Sequence, residues 1–236
     1  MNNSVTCPNC NSENPFYNFV CSKCRIYLRD RVYNLDLWST ISSVIETPSK
    51  AFKTIILSEH KNFIFFILLF IGFKYLINAR FVSMISLGDF QSTIGLQFSY
   101  LIILGVTLIY FLIFSFLYSL SGKAFNIHLR FKDTFALILY SQVPYLFGLI
   151  ILFTLELVIF GDYLFSKNPT PFTIKGSLSY LFLTLEIAIV IWSIFLTFKS
   201  FLTQSNHRLF SILSSLTFAV LFWSFIYFCS MFVFTI

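Results

Sequence analysis

Charge is what this chain has least of. Only 11% of its 236 residues are Asp, Glu, Lys or Arg, against 57% hydrophobic. So few charges cannot clothe a soluble domain of this size, which excludes an ordinary water-soluble globular fold. Clustered basic residues are also lacking. Despite a net charge of +6, the Lys and Arg side chains sit at the ends of apolar runs and in certain connections, so a nucleic-acid partner is not expected. The first 37 residues are polar and lack a short apolar core with a small-residue cleavage site, so no cleavable leader is expected. Reactive groupings are missing too. His60, His128 and His207 are isolated from one another, no nucleophile–base pattern is visible, and no enzyme is expected.

What is present is five long, nearly uncharged runs at about 63–83, 96–120, 134–160, 178–198 and 209–234. In lipid a backbone must satisfy its own hydrogen bonds, so each run predicts a membrane-spanning helix. The 33 phenylalanines suit lipid-facing positions. The expected fold class is an all-α membrane protein: a five-helix transmembrane bundle with interfacial amphipathic helices and a small N-terminal zinc ribbon. The expected organisation is a head over 1–36, interfacial helices over 37–62 and a transmembrane domain over 63–236.

The head carries Cys7-Pro8-Asn9-Cys10 and Cys21-Ser22-Lys23-Cys24. A CxxC turn points two sulfurs at one centre, and two such turns supply a tetrahedral four-thiolate site. Structural Zn2+ is the expected occupant. An iron site of rubredoxin type uses the same ligands, and paired disulfides or unliganded thiols are the metal-free alternatives. With all four positions filled by thiolates, no site is left for a substrate or an activated water. Cys229, in the last apolar run, is expected to be core or lipid-facing.

Between head and first span, Leu37, Trp38, Ile41, Val44 and Ile45, then Ala51, Phe52, Ile55 and Ile56, recur at helical spacing around Pro48. They predict two short amphipathic helices at the bilayer surface, with Lys50, Lys53 and Lys61 toward anionic headgroups; the alternative, compatible in part, is that the stretch only packs against the helix bundle.

Orientation follows from Lys and Arg outside the runs, together with Arg80 near the outer end of the first. The N-terminal side has Lys23, Arg25, Arg29, Arg31, Lys50, Lys53, Lys61, Lys123, Arg130, Lys132, Lys199 and Arg208; the other side has Arg80, Lys167 and Lys175. Twelve against three puts the N-terminus in the cytoplasm and the C-terminus outside. The expected home is the bacterial plasma membrane.

Four charges fall within or at the edges of the runs: Lys74, Arg80, Glu156 and Glu186. At 1.5 Å per residue, Lys74 and Glu186 lie at similar depth near the midplane, and Arg80 and Glu156 near the outer boundary. An unpaired charge at a helix centre costs ~3 kcal/mol or more, so the pairs Lys74–Glu186 and Arg80–Glu156 are expected. The alternative is that each charge snorkels or lines a wet crevice. Asn78, Gln142 and Glu156 are candidates for such a polar cavity. Pro144, within Tyr140-Ser141-Gln142-Val143-Pro144-Tyr145, predicts a kink in the third span, with Ser141 or Gln142 helping to satisfy the freed carbonyls. Asn168-Pro169-Thr170-Pro171 predicts a turn.

The segments Leu37-Trp38 through Thr54-Ile55, Gly122-Lys123-Ala124, Phe131-Lys132-Asp133 and, most strongly, Ala136-Leu137-Ile138-Leu139-Tyr140-Ser141-Gln142-Val143-Pro144 resemble the Yip (Ypt-interacting-protein) domain family over about residues 37–236. Where that family has a glycine pair after the second span, this chain has Gly122 alone. The resemblance implies five spans, a cytoplasmic N-terminal region and a non-enzymatic membrane role. Eukaryotic members engage small GTPases of the Rab class, while prokaryotic members often carry an N-terminal zinc ribbon. The expected function is a membrane scaffold or adaptor whose ribbon docks a protein partner, or a second copy of the chain, amid membrane lipids. A transporter of a small solute, ion or lipid using the intramembrane charges is the alternative, although no inverted repeat is visible.

Overall fold

A computed structural model describes residues 4–87, 95–166 and 168–235. Two three-residue strands, β1 (Ser4–Thr6) and β2 (Glu13–Pro15), pair antiparallel with Val5 opposite Asn14. Helices α1 (Leu37–Glu46) and α2 (Pro48–Leu57) follow. The Asp36 side chain caps α1 by accepting the Ser39 amide at 2.8 Å, and Pro48 starts α2 where its missing N–H costs nothing.

Among the described residues, five helical stretches are long and apolar enough to cross a membrane: Ile64–Met84, Leu96–Ala124, Phe131–Phe165, Gly176–Ser205 and Arg208–Phe234. They fall in helix α3 (Ile64–Leu87), α4 (Leu96–Ala124), a composite third stretch, α9 (Gly176–Ser205) and α10 (Arg208–Thr235). The spans are longer at several ends than the apolar runs suggest, because polar termini such as Ser121-Gly122-Lys123 continue the helical hydrogen bonding. Apolar residues on the bare surfaces, among them Leu101, Ile109, Ile113 and Phe116 of α4, are what a lipid-facing helix presents.

The third stretch is segmented. Helix α5 (Phe131–Ser141) stops before Gln142, α6 (Val143–Phe147) begins with Pro144 in its first turn, and a π-helix (Gly148–Phe153) and α7 (Thr154–Phe160) follow. Proline cannot donate to a carbonyl one turn back, so the ladder breaks there. Ser141 Oγ donates to the Ile138 carbonyl at 2.7 Å. A turn of 3-10 helix (Gly161–Phe165) closes the stretch, and Pro171, expected within a plain turn, instead begins the short helix α8 (Pro171–Ile174), capped by Thr170.

The chain divides into two compact units. The first comprises Met1–Ile64, Leu112–Ser141 and Leu196–Leu216; the second comprises Phe65–Phe111, Gln142–Phe195 and Thr217–Ile236. In the first, Tyr118 stacks on Phe201 at 4.3 Å between ring centroids, with Phe210 beside it. Thr134 and Gln204 exchange hydrogen bonds, and Ser141 meets Thr197 at 3.0 Å. Gly122 has no room for a side chain, since a Cβ would sit 2.4 Å from Leu129 Cδ1. The single glycine thus supports a close approach. In the second unit, Tyr75 lies against Tyr145 and Phe222, and Leu152, Phe160, Leu164 and Phe182 form a buried cluster. Aromatic pairs of this kind are worth ~0.5–1.5 kcal/mol each beyond area burial.

Candidate metal centre and buried charges

Two backbone turns of the same design build the head. In the first, the Asn11 amide donates to the Cys7 carbonyl and the Cys7 amide to Ser12; in the second, the Arg25 amide donates to Cys21 and the Cys21 amide to Ile26. Asn11 and Arg25, each following the second cysteine of its pair, take positive φ (53° and 59°) to close the turn. The result gathers all four sulfurs within 4.8 Å of one another. Cys7 and Cys24 Sγ are 3.5 Å apart and Cys10 and Cys21 Sγ 3.6 Å. A tetrahedral site with Zn–S bonds of ~2.3 Å has sulfur–sulfur edges of ~3.8 Å, so the donor set fits a metal ion after a small expansion. All four cysteines are free thiols.

The cluster is electrostatically prepared. The Cys24 amide and the Ser12 hydroxyl hold the Cys21 thiol down at about 5, and Ser12 also lowers Cys10. Burial pushes Cys7 up to about 11, and a bound cation would favour its thiolate form. Asn14, which sequence reasoning missed, is fully buried beside them. Its Nδ2 points at Cys21 Sγ (3.5 Å) and donates to the Ser12 carbonyl, while its Oδ1 accepts from the amide and hydroxyl of Ser22 at 2.9 Å each. Such supporting groups orient the ligands of a metal site.

The head is fastened to the end of α2 and the residues just beyond it, within its own unit. Arg29 Nη2 donates to the carbonyls of Tyr17 (3.0 Å) and Leu57 (3.1 Å). Arg31 grips Glu59 with two bonds, of 2.6 and 2.9 Å, and holds that carboxyl below the usual carboxylate range. The amides of Glu59 and His60 donate to the Val32 and Tyr33 carbonyls, and the Arg130 guanidinium lies 4.1 Å from the Tyr17 ring centre. Lys61, expected at lipid headgroups, is instead buried. It pairs with Asp133 at 3.0 Å and donates to carbonyls at the end of α2 (Ile55, Ile56 and Ser58). Burial lowers its pKa, opposed by Asp133. The cause of the difference is that the Asp133 carboxylate and the open carbonyl end of α2 give the ammonium partners within the protein. Asp133 is shared with Arg130 at 2.7 Å.

In the second unit the structure brings Lys74 and Glu186 together: Lys74 Nζ donates to Glu186 Oε1, with the lysine side chain 0% exposed. Gly148 packs closely here, since a Cβ would lie 2.8 Å from Ile189 Cδ1 and 3.2 Å from Lys74 Cε. Arg80 and Glu156 do not form an ion pair among the described residues. The Arg80 guanidinium lies over the Phe234 ring at 5.1 Å, and Glu156 is buried elsewhere, with Oε2 lacking a hydrogen-bond partner. Equal depth is not sufficient, since the two side chains must also face each other around their helices. Gln142 Oε1 accepts from Tyr75 (2.9 Å) and Ser193 (2.7 Å). Asn78 and Glu156, together with Glu186, line a cavity of about 600 Å3.

Five membrane-crossing helices behind a four-cysteine head define a multi-pass membrane protein with a candidate metal centre. The chain belongs to the Yip1 domain family, whose pattern matches residues 42–232. Comparison with curated proteins and with solved structures gives no significant match.

Proposed function

We propose that this protein is a non-enzymatic membrane scaffold whose N-terminal ribbon, built on structural Zn2+, docks a protein partner on the cytoplasmic side of a bacterial plasma membrane. The observation that carries the reading is the mounting of the head. A flexible tether would suffice to hold a metal, whereas Arg29, Arg31 and the Val32 and Tyr33 carbonyls fasten the ribbon to Leu57, Glu59 and His60. A rigid mount presents a surface in a defined pose, which lowers the entropy lost on binding. That surface has apolar and aromatic groups for a partner: Val20 and Ile26 are exposed, and Tyr27 is 71% exposed. Twelve of the fifteen Lys and Arg residues outside or near the ends of the apolar runs fall on the head's side of the sequence pattern, which supports a cytoplasmic placement.

The test is a mild-detergent pull-down from native membranes comparing the intact chain, the Cys7→Ser, Cys10→Ser double variant and Tyr27→Asp. A stoichiometric partner is expected with the intact chain and lost with both variants. Retention of the same partner by both variants would assign docking to the membrane helices and remove the ribbon from the account.

A further inference from the structure

Independently of the scaffold reading, the cavity of the second unit has a composition that selects its occupant. Most of its wall is hydrocarbon, including Phe81, Phe160, Leu164, Phe182, Leu183 and Val190. Its volume of about 600 Å3 is that of a small-molecule site. Two carboxyl groups face it; Lys74 makes its direct ion pair with Glu186 and none with Glu156. Glu156 is 4% exposed, its Oε2 is buried without a hydrogen-bond partner, and no basic side chain forms an ion pair with it among the described residues. A hydrocarbon chain alone would fill the space and leave that acceptor unsatisfied, a condition that buried polar groups avoid.

We propose that this cavity binds an amphiphile carrying a primary ammonium on a hydrocarbon tail, with the ammonium donating to Glu156 and the tail lying along the Phe160–Phe182 wall. An ammonium has three donors and one positive charge. It offers the Glu156 carboxyl a donor, adds a positive charge beside the two carboxyl groups, and finds further acceptors in Asn78 and Ser179, which line the same cavity. A single-chain amine and an aminophospholipid share this chemistry.

The experiment uses the full chain in phosphatidylcholine nanodiscs, titrated with radiolabelled dodecylamine and, separately, dodecanol, with empty nanodiscs as background. Saturable binding of one dodecylamine per chain is expected, with a preference of at least tenfold over dodecanol. Glu156→Gln, which keeps shape and removes charge, is expected to erase that preference. Val190→Trp, which fills the cavity and leaves Glu156 in place, is expected to abolish saturable binding altogether. Replacing part of the phosphatidylcholine by phosphatidylethanolamine separates the sources: reduced dodecylamine occupancy identifies the lipid headgroup as a ligand, and unchanged occupancy identifies the single-chain amine. Equal binding of amine and alcohol would overturn the proposal, as would an undiminished preference in Glu156→Gln or undiminished binding in Val190→Trp.

Discussion

Removing the metal from the purified protein with a strong chelator is expected to unfold residues 4–36 and leave the five membrane helices intact. Among described residues 4–36, only Cys7, Asn14, Cys21 and Leu35 are buried. The interior of the head is therefore, Leu35 apart, the candidate metal site and its Asn14 support. Two three-residue strands cannot stand alone, and no apolar core exists to replace the metal. Structural zinc contributes ~10–16 kcal/mol of apparent binding free energy in such small units, so its loss exceeds what any remaining contact supplies. Hydrogen exchange reads the result by segment. Protection should collapse at the Cys7 and Cys21 amides, and fall at Glu59 and His60, whose amides donate to the head's Val32 and Tyr33 carbonyls. Exchange within Leu96–Ala124 and Gly176–Ser205 should not change. Readdition of zinc should restore protection, with one ion bound per chain. Unchanged exchange in the head after chelation would mean that the thiols alone hold it.

The second large effect is expected at the buried ion pair. Glu186→Gln leaves the Lys74 ammonium wholly buried without its anion, and Lys74→Met leaves Glu186 without its cation. Breaking one side of a buried pair costs ~3–5 kcal/mol, because the remaining charge keeps its desolvation penalty and loses its partner. Lys74 is the more costly one to orphan, since it is fully enclosed while the Glu186 side chain is 18% exposed at the cavity. The double variant Lys74→Met, Glu186→Gln removes both charges and should recover ~2 kcal/mol or more of the summed single losses. Unfolding by SDS in mixed micelles gives all four corners of this cycle. Strict additivity would show that the two charges do not stabilise each other.

Much of this architecture is legible in the amino-acid sequence, for identifiable reasons. Spans announce themselves because lipid forbids charge over some twenty residues, and CxxC pairs because few other arrangements need that spacing. The two helices around Pro48 follow from apolar spacing. Other features leave no such trace. Helix α3 is apolar on all sides, so its sequence gives the depth of Arg80 and not the direction in which it points. That is why Arg80 lies at Phe234 while Glu156 lines a cavity. Lys61 reads as a surface cation because its partners are backbone carbonyls of α2 and an aspartate 72 positions away. The mounting of the head depends on Arg29 reaching the Leu57 carbonyl, an atom present in every residue and so invisible to any motif. The π-helix at Gly148–Phe153 is likewise unannounced, although Gly148 beside Lys74 offers a physical reason for a small residue there. Asn14 was the most recoverable omission: a polar residue placed between two cysteine turns in a head too small for an apolar core has few roles besides supporting the ligands.

The central claim, that the metal-built ribbon is a rigid docking surface, is tested most directly in intact membranes. A photo-crosslinking amino acid placed at Tyr27, the most exposed aromatic of the head, reports what touches that surface. The account predicts one discrete protein adduct, absent when Cys7 and Cys10 are replaced by serine. An adduct of the same size and yield with those cysteines replaced, or crosslinks to lipid alone, would contradict it.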